Sequence, residues 1–409
     1  MRPRTTMTLY QTAARVWLTL AVLALLLTPA RRAGLWLPLH LALAGAIATA
    51  ISGAMQYFMV ALTATPSPPA WTVRLQFVLV TAGAALIAIG FPEGHAGLVA
   101  AGGAAFVGAV ALLGAMLWFA WSRALNRRHA MSMAIYGLAV TAAVAGATIG
   151  ALLGSHAIGG TRYLDLRRAH MTLNVLGFAS LTVVGTLVTL LPTALRVRMP
   201  VWRGRVAIGL FVAGLMLEVT GWSLGSRAAV AAGGLAYAAG ALHVVWLVAS
   251  ILRVERNWGV PVAAFHMMAG VGWFTAGSLG LARALLDGAA GFDRFLPLFL
   301  TAFVGGWLVQ VLLGAWSYLL PMARPGHPDE RRRGLVVFEV GARTQVVVLN
   351  LGLLLVAGRG AGWLGATAGD LGTGLALAAG IFALTKAWLF PLLARVPIVT
   401  GRARSVWGG

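Results

Sequence analysis

The sequence has 409 residues, of which 60% are hydrophobic and only 10% are charged, and its mean hydropathy is +0.86. Soluble domains carry about 25% charged residues, so this composition excludes an ordinary soluble domain and predicts an all-α integral membrane protein. The 31 basic residues outnumber the 10 acidic ones, and the net charge is +21. In a soluble chain this imbalance would favour nucleic-acid binding. Here the arginines lie between apolar segments, where they orient helices and meet anionic head groups, so the expected partner is the lipid bilayer and not nucleic acid.

The sequence contains no cysteine. This excludes disulfides, thiolate metal sites, iron–sulfur clusters and the covalent attachment of c-type haem. Any haem in this protein would therefore be held non-covalently by histidine.

The amino terminus resembles a signal peptide in charge and length, because Arg2, Arg4 and Arg15 precede the apolar residues 16–28. Residues 28–32 form a poor cleavage site, since they end in two arginines. The first apolar segment is therefore predicted to remain as the first helix of the protein.

Windows of about 19 residues predict twelve membrane spans with short connections and no soluble domain. Residues 1–409 are accordingly expected to form a single polytopic membrane domain. The predicted spans cover residues 13–29, 35–63, 72–91, 96–121, 131–154, 169–192, 204–224, 228–252, 258–284, 292–320, 335–357 and 372–394.

Basic residues favour one side of the predicted bundle. With the amino terminus inside, twenty arginines lie in the inside segments and nine in the outside segments. Because cytoplasmic loops are enriched in arginine and lysine, this bias predicts twelve helices with both termini cytoplasmic.

A short sequence pattern recurs at the ends of two predicted spans. GTLVTLLP at 185–192 closes span six, and GAWSYLLP at 314–321 closes span ten, an offset of 129 residues. Span two offers a looser copy, since His40 precedes a glycine much as His170 does. Spans two, six and ten are therefore predicted to be equivalent members of three four-helix units, with Phe299 in the histidine position of span ten.

Five of the eight histidines lie in or beside the predicted spans, and three (His95, His129 and His327) lie in loops. His40 and His170 are expected at the outer ends of spans two and six, and His156 just past the outer end of span five. These three histidines thus share a depth, and five arginines lie close to them in sequence: Arg31, Arg32, Arg162, Arg167 and Arg168.

His243 and His266 form a second group. His243 is about nine residues from the inner end of span eight, and His266 is about eight from the inner end of span nine. At 1.5 Å per residue, both are predicted at about 12 to 14 Å from the inner surface.

Two histidine pairs are therefore candidate ligands of a b-type haem or another metal: His40 with His170, joined or not by His156, and His243 with His266. Two imidazoles on facing helices can hold haem iron, while Arg167 and Arg168 would hold the propionates. Three clustered histidines would instead suit copper or zinc. The alternative without any cofactor is that the histidines form hydrogen bonds between helices.

Other polar residues in the predicted spans are few. Glu339 and Arg343 are spaced i, i+4 in span eleven and are expected to form an ion pair. Glu218 stands alone near the outer end of span seven, as a proton site or a neutral carboxyl. Asn174 and Gln310 are expected to form hydrogen bonds between helices.

Three stretches resemble segments of the NnrS family, haem- and copper-containing membrane proteins linked to denitrification and resistance to nitric oxide. They are His40 to Phe58, His170 with the following glycines at 177 and 185, and His266-Met-Met-Ala-Gly270 through Arg283. Twelve spans with histidines opening spans two and six also resemble the catalytic subunit of the haem–copper oxidase superfamily. This resemblance implies a haem-copper-oxidase-like bundle with haem b and, in some members, copper.

The chain departs from the oxidase pattern in three places. Span ten lacks the haem-ligating histidine pair of the oxidases, and span seven lacks their copper-ligating pair. His170-x-x-x-Asn174 stands where oxidases commonly have His-x-x-x-Tyr. The resemblance therefore predicts an oxidase scaffold without a complete oxygen-reducing centre.

The leading hypothesis is a multi-pass protein of the bacterial cytoplasmic (inner) membrane that binds haem b. The resemblance implies a role in nitric oxide or nitrite metabolism, or in electron transfer, with a small gaseous or nitrogen-oxide ligand and a redox partner protein. Two other classes stay open: a twelve-helix secondary transporter, and a haemless membrane scaffold or assembly subunit.

Overall fold

The computed structural model describes residues 1–27, 34–198, 204–253, 259–324 and 327–395. Within these ranges the chain is almost entirely helical and contains no strand. This confirms the prediction of an all-α protein.

Twelve helices are long and apolar enough to cross a membrane, which confirms the predicted number among the described residues. In chain order they are α1 (Pro3–Leu27), α2 (Trp36–Thr63), α3 (Ala70–Gly90), α4 (Ala96–Ser122), α5 (Ala130–Gly154), α6 (Gly160–Ala194), α7 (Arg205–Leu224), α8 (Arg227–Leu252), α9 (Val262–Leu285), α10 (Gly288–Ala323), α11 (Ala342–Gly360) and α12 (Ala366–Leu393). The cytoplasmic location of both termini stays a prediction.

Two helices begin well before the predicted span. Helix α1 starts at Pro3 rather than at residue 13, and Arg15 is buried inside it with hydrogen bonds to Gln11 and Thr12. Helix α6 starts at Gly160 rather than at residue 169, since the hydropathy window does not register its polar first turns. Arginines that were predicted in loops therefore lie on helices.

Predicted span eleven is interrupted. A short helix, Pro328–Glu339, ends before Gly341, whose φ of +63° is left-handed, and α11 begins at Ala342. Glycine adopts this conformation without the steric cost that a Cβ imposes. The predicted i, i+4 pairing of Glu339 and Arg343 within one helix is therefore wrong: the two residues lie on different helices, and an oxygen of Glu339 accepts a hydrogen bond from the Val262 N–H at 3.0 Å.

Helices α2, α6 and α10 each contain a π-helical segment, and within the described ranges no other helix does. The segments are Leu41–Ile47, Thr172–Ser180 and Leu300–Val309. The first begins directly after His40, the second two residues after His170, and the third directly after Phe299. The three positions that were matched by sequence thus occupy the same place relative to a rare helix type, which supports the predicted equivalence of these helices.

Glycine contacts repeat in the same three helices. Each helix carries two glycines eight residues apart that lie against two residues, seven apart, of the helix before it. The first set is Gly45 against Trp17, Gly177 against Ala142, and Gly306 against Trp273. The second set is Gly53 against Tyr10, Gly185 against Ile135, and Gly314 against His266. The helix before each of the three is therefore equivalent as well.

The three helices with π-helical segments are also the most buried of the twelve. The buried share of the most apolar window is 67% in α2, 89% in α6 and 61% in α10, against 33–56% in the others. The described residues group into two compact units: unit 1 comprises Met1–Gly185 and Val212–Gly233, and unit 2 comprises Thr186–Phe211 and the described residues from Gly234 onward. The single domain expected from the sequence stays a prediction.

Candidate haem site

Unit 1 brings together His40 and His170, the histidine pair that the sequence favours. Their rings are nearly parallel, with an interplanar angle of 10°, and their centres are 6.5 Å apart. Rings in direct stacking contact in this protein are much closer, as Trp36 and His40 show with 3.9 Å. Two imidazoles on opposite sides of one metal ion, with metal–nitrogen bonds of about 2 Å, have centres about 6 Å apart. The separation of the two rings therefore fits a shared metal ion.

Hydrogen bonds fix which nitrogen of each ring is available. Nδ1 of His40 lies 2.9 Å from the carbonyl oxygen of Trp36, and Nδ1 of His170 lies 2.8 Å from that of Gly146. A carbonyl oxygen can only accept, so the neutral ring of His40 carries its proton on Nδ1 and a lone pair on Nε2. The shorter contact of His170, to Gly146, gives the same tautomer; the Asn174 amide nitrogen also lies 3.2 Å from this Nδ1, but it donates to the His170 carbonyl oxygen at 2.8 Å. Neither Nε2 has a hydrogen-bond partner among the described residues. Metal-ligating histidines commonly have this arrangement, because the Nδ1 bond fixes both tautomer and ring orientation.

Helix α5 forms the wall behind His170. Gly150 lies directly against the imidazole, and a methyl group in its place would collide with the ring. Gly146, one turn earlier, supplies the carbonyl and lies against Asn174. The Asn174 side chain donates to the carbonyl oxygen of His170 at 2.8 Å. Two glycines at i, i+4 thus create the groove that holds this histidine.

Aromatic rings hold His40 from the other direction. Trp36, one turn earlier on α2, stacks on the imidazole of His40 at 3.9 Å and on Phe91 at 4.0 Å. Trp36 therefore links the ring of His40 to the segment that follows α3. The i, i+4 spacing of Trp36 to His40 was the sequence signal for this contact.

The two arginines before His170 differ in their contacts. Arg168 is 5% exposed, forms a 2.6 Å ion pair with Asp165, and lies over the ring of Trp222 at 5.5 Å. Arg167 forms no hydrogen bond or ion pair in the described part of the chain, and its Nε is shielded from solvent. Of the two predicted propionate ligands, Arg167 is thus the one whose hydrogen-bonding capacity is unused. Arg31 and Arg32 lie outside the described residues.

His156 does not join the pair. It is exposed in the loop after α5, where its φ of +59° is left-handed. The described residues contain no group of three histidine, aspartate or glutamate side chains that could hold a metal ion. The described residues therefore do not assemble the three-histidine site, and copper or zinc binding stays a prediction.

The second predicted pair is not brought into contact. Nδ1 of His243 lies 3.1 Å from the Ala239 carbonyl oxygen of its own helix. His266 is 1% exposed, and its Nε2 lies 3.3 Å from the amide nitrogen of Gln345. No hydrogen bond or ring contact joins the two histidines among the described residues of unit 2. Their similar predicted distance from the inner surface therefore did not mean that the two side chains are neighbours.

A buried carboxyl that was predicted to stand alone lies near the histidine pair. Glu218 is 0% exposed, and one of its oxygens accepts a hydrogen bond at 3.4 Å from Thr172, two residues after His170. Its other oxygen has no partner in the described ranges. Thr172 is the first residue of the π-helical segment of α6, so the segment that follows His170 carries the contact to Glu218.

Comparisons with known proteins add no relationship: no protein-family model matches the sequence, and no curated protein matches it significantly. The class of protein is therefore inferred from the fold and the site. The described residues form twelve apolar helices that are compatible with a multi-pass membrane bundle, and a half-buried histidine pair lies between two of these helices.

Proposed function

We propose that this protein is a membrane-embedded b-type haem protein in which His40 and His170 are the axial ligands of one haem. The observation that carries the proposal is the geometry of the pair: parallel rings, centres 6.5 Å apart, and both Nδ1 atoms engaged by backbone carbonyls. His170 does form a hydrogen bond to the neighbouring helix α5, at the Gly146 carbonyl oxygen. No hydrogen bond joins the two imidazoles among the described residues, so both Nε2 lone pairs stay available for iron.

The surrounding residues suit the same cofactor. The pair lies half-buried among apolar helices, and Arg167 offers an unused guanidinium for a propionate. Arg167 is half-buried and its Nε is shielded from solvent, and unpaired charges in membrane helices are costly, so an anionic haem edge would stabilise this guanidinium. The described residues bring no third histidine to the pair, so His40 and His170 are proposed to hold haem, and copper binding stays a prediction from the resemblance.

Two imidazole ligands favour electron transfer over ligand chemistry. His40 and His170 would both hold the haem iron, and the haem would supply one-electron transfer between its ferric and ferrous states. A nitrogen-oxide ligand would have to displace one imidazole. The protein would therefore exchange electrons with a redox partner protein. The resemblance to the NnrS family and the haem–copper oxidases supplies its proposed setting, nitric oxide or nitrite metabolism at the bacterial cytoplasmic membrane.

The test is the haem content of purified full-length variants, measured by pyridine haemochrome and the reduced-minus-oxidised spectrum. The wild type is expected to carry about one haem b per chain, and His40→Ala and His170→Ala to lose it, because one imidazole alone leaves the iron with half its protein ligation.

His243→Ala is the matched control. His243 donates from Nδ1 to the carbonyl four residues earlier, as His40 does, yet it has no histidine neighbour. This variant should keep its haem. Haem-free but well-folded wild type, or full haem content in His170→Ala, would contradict the proposal and favour the scaffold or transporter hypotheses.

A further inference from the structure

Unit 2 contains a second buried polar cluster, remote in sequence from His40 and His170. His266 of α9, Gln345 of α11 and Lys386 of α12 line a small cavity together with Ser317 of α10. The aromatic side chains of Trp316 and Phe338 complete much of its wall. The cavity thus lies among four membrane helices and the end of the short helix Pro328–Glu339.

Two of these polar side chains have unmet hydrogen-bonding capacity. His266 is 1% and Gln345 is 5% exposed. The Gln345 amide nitrogen donates to Nε2 of His266, so the neutral ring carries its proton on Nδ1. Neither this Nδ1 nor the amide oxygen of Gln345 has a partner among the described residues. Buried polar groups are rarely left unpaired, because the loss of hydration is not compensated.

Lys386, the only lysine in the sequence, brings a positive charge to the cavity. Its ammonium group donates to the carbonyl oxygens of Phe338 and Val340, at 3.0 and 3.1 Å. These carbonyls lie where the short helix Pro328–Glu339 ends, just before Gly341. An ammonium group has three N–H donors, so one is not used by these two carbonyls, and the group also lies 4.7 Å from the centre of the Phe382 ring. Glu339 interacts electrostatically with Lys386 but forms no ion pair with it in the described ranges; it accepts from the Val262 N–H and does not line the cavity.

The equivalent place in unit 1 is filled by the chain itself. Tyr10 faces Gly53 as His266 faces Gly314, and Gln56 and Ser317 each follow that glycine by three residues. The Tyr10 hydroxyl lies 2.5 Å from Gln76 Oε1, and the Gln56 amide nitrogen donates to the same hydroxyl at 3.0 Å.

In this cluster of Tyr10, Gln56 and Gln76, the amide oxygen of Gln56 is the one side-chain atom without a hydrogen-bond partner among the described residues. Unit 1 therefore satisfies its polar cluster internally, whereas unit 2 replaces a tyrosine by a histidine, adds a lysine and leaves space.

We propose that the His266–Gln345–Lys386 cavity binds a small inorganic anion of halide size. Its free volume of about 10 Å³ is close to that of a single-water cavity, which restricts the ligand to about one heavy atom. An ammonium N–H and an imidazole N–H are two donors for such an ion, and charge-assisted hydrogen bonds are strong in a water-excluded setting. The site does not depend on the proposed haem.

Bromide is the probe, because it is both a halide and an anomalous scatterer. Thermal unfolding of the full-length protein is measured in sodium bromide and in sodium gluconate at equal ionic strength. The wild-type midpoint is expected to rise with bromide, and crystals grown in bromide should show an anomalous peak beside Lys386.

Lys386→Met should abolish this dependence. Lys386 also bonds the carbonyls at the end of the short helix, so its loss could destabilise the fold. His266→Leu therefore serves as a second variant. Bromide should bind to it about tenfold more weakly, because one donor is lost. Gln76→Leu, in the filled cluster of unit 1, is the control that should keep the full bromide response. A folded wild type with no bromide dependence, or a cavity that holds water only, would overturn the proposal.

Discussion

At the scale of single residues, the candidate site depends on how each imidazole is held. The backbone carbonyls of Trp36 and Gly146 leave the Nε2 lone pairs of His40 and His170 for a metal ion. Gly150 is the least obvious member of this arrangement, because it contributes only the absence of a side chain. The ring of His170 occupies the space that any larger residue would need.

Gly150→Ala should weaken haem binding while the protein still folds. The added methyl group would push the ring of His170 out of its groove and strain the bond to Gly146, at a cost of about 1–3 kcal/mol. The haem dissociation constant should rise about tenfold or more, as measured by haem titration of the apoprotein.

Gly137→Ala on the same helix is the matched control, because no atom lies within 4 Å of the added methyl group. Equal haem affinity in the two alanine variants would show that the groove does not position His170.

At the scale of helices, the π-helical segments organise the packing of α2, α6 and α10. Each hydrogen bond in a π-helix spans five residues instead of four, so a π-helical segment changes which face the following residues present. In each segment one glycine, at position 45, 177 or 306, lies against the preceding helix. The close approach that these glycines allow is typical of membrane helix pairs.

Gly306→Ala should therefore lower the thermal unfolding midpoint in detergent. Alanine is normally the better helix former by about 1 kcal/mol, but here its methyl group would overlap the ring of Trp273 and force α9 and α10 apart. Overpacking of this kind costs about 1–3 kcal/mol, so the net effect is destabilising.

The control for this variant is Gly272→Ala, beside Trp273 on α9, where no atom lies within 4 Å of the new methyl group. Its midpoint should match or exceed that of the wild type. A Gly306→Ala protein as stable as the Gly272→Ala protein would contradict the proposed role of the contact.

At the scale of the whole molecule, hydropathy and length were enough to predict the twelve spans, because apolar runs of this length have few alternatives. The hydropathy windows did not predict the polar first turns of α6 or the helix break at Gly341, because they average over such local features. The equivalence of α2, α6 and α10 was visible in glycine and proline spacing, although the π-helical segments themselves were not.

The histidine pairs show the limit of depth arguments. Distance from a helix end predicts position along the membrane normal but not the direction in which a side chain points. His40 and His170 share both depth and direction, whereas His243 and His266 were matched by depth alone and form no contact with each other in unit 2. The π-helical segments change the rotation of a helix, so direction cannot be extrapolated from 3.6 residues per turn.

The measurement that tests the central claim most directly is electron paramagnetic resonance of the oxidised, purified protein. Two strong imidazole ligands make ferric haem low-spin, and nearly parallel ring planes, 10° apart here, favour a rhombic signal. The account predicts a rhombic low-spin signal that disappears in both His40→Ala and His170→Ala and persists in His243→Ala. A purely high-spin haem, or a low-spin signal unchanged in His170→Ala, would contradict it.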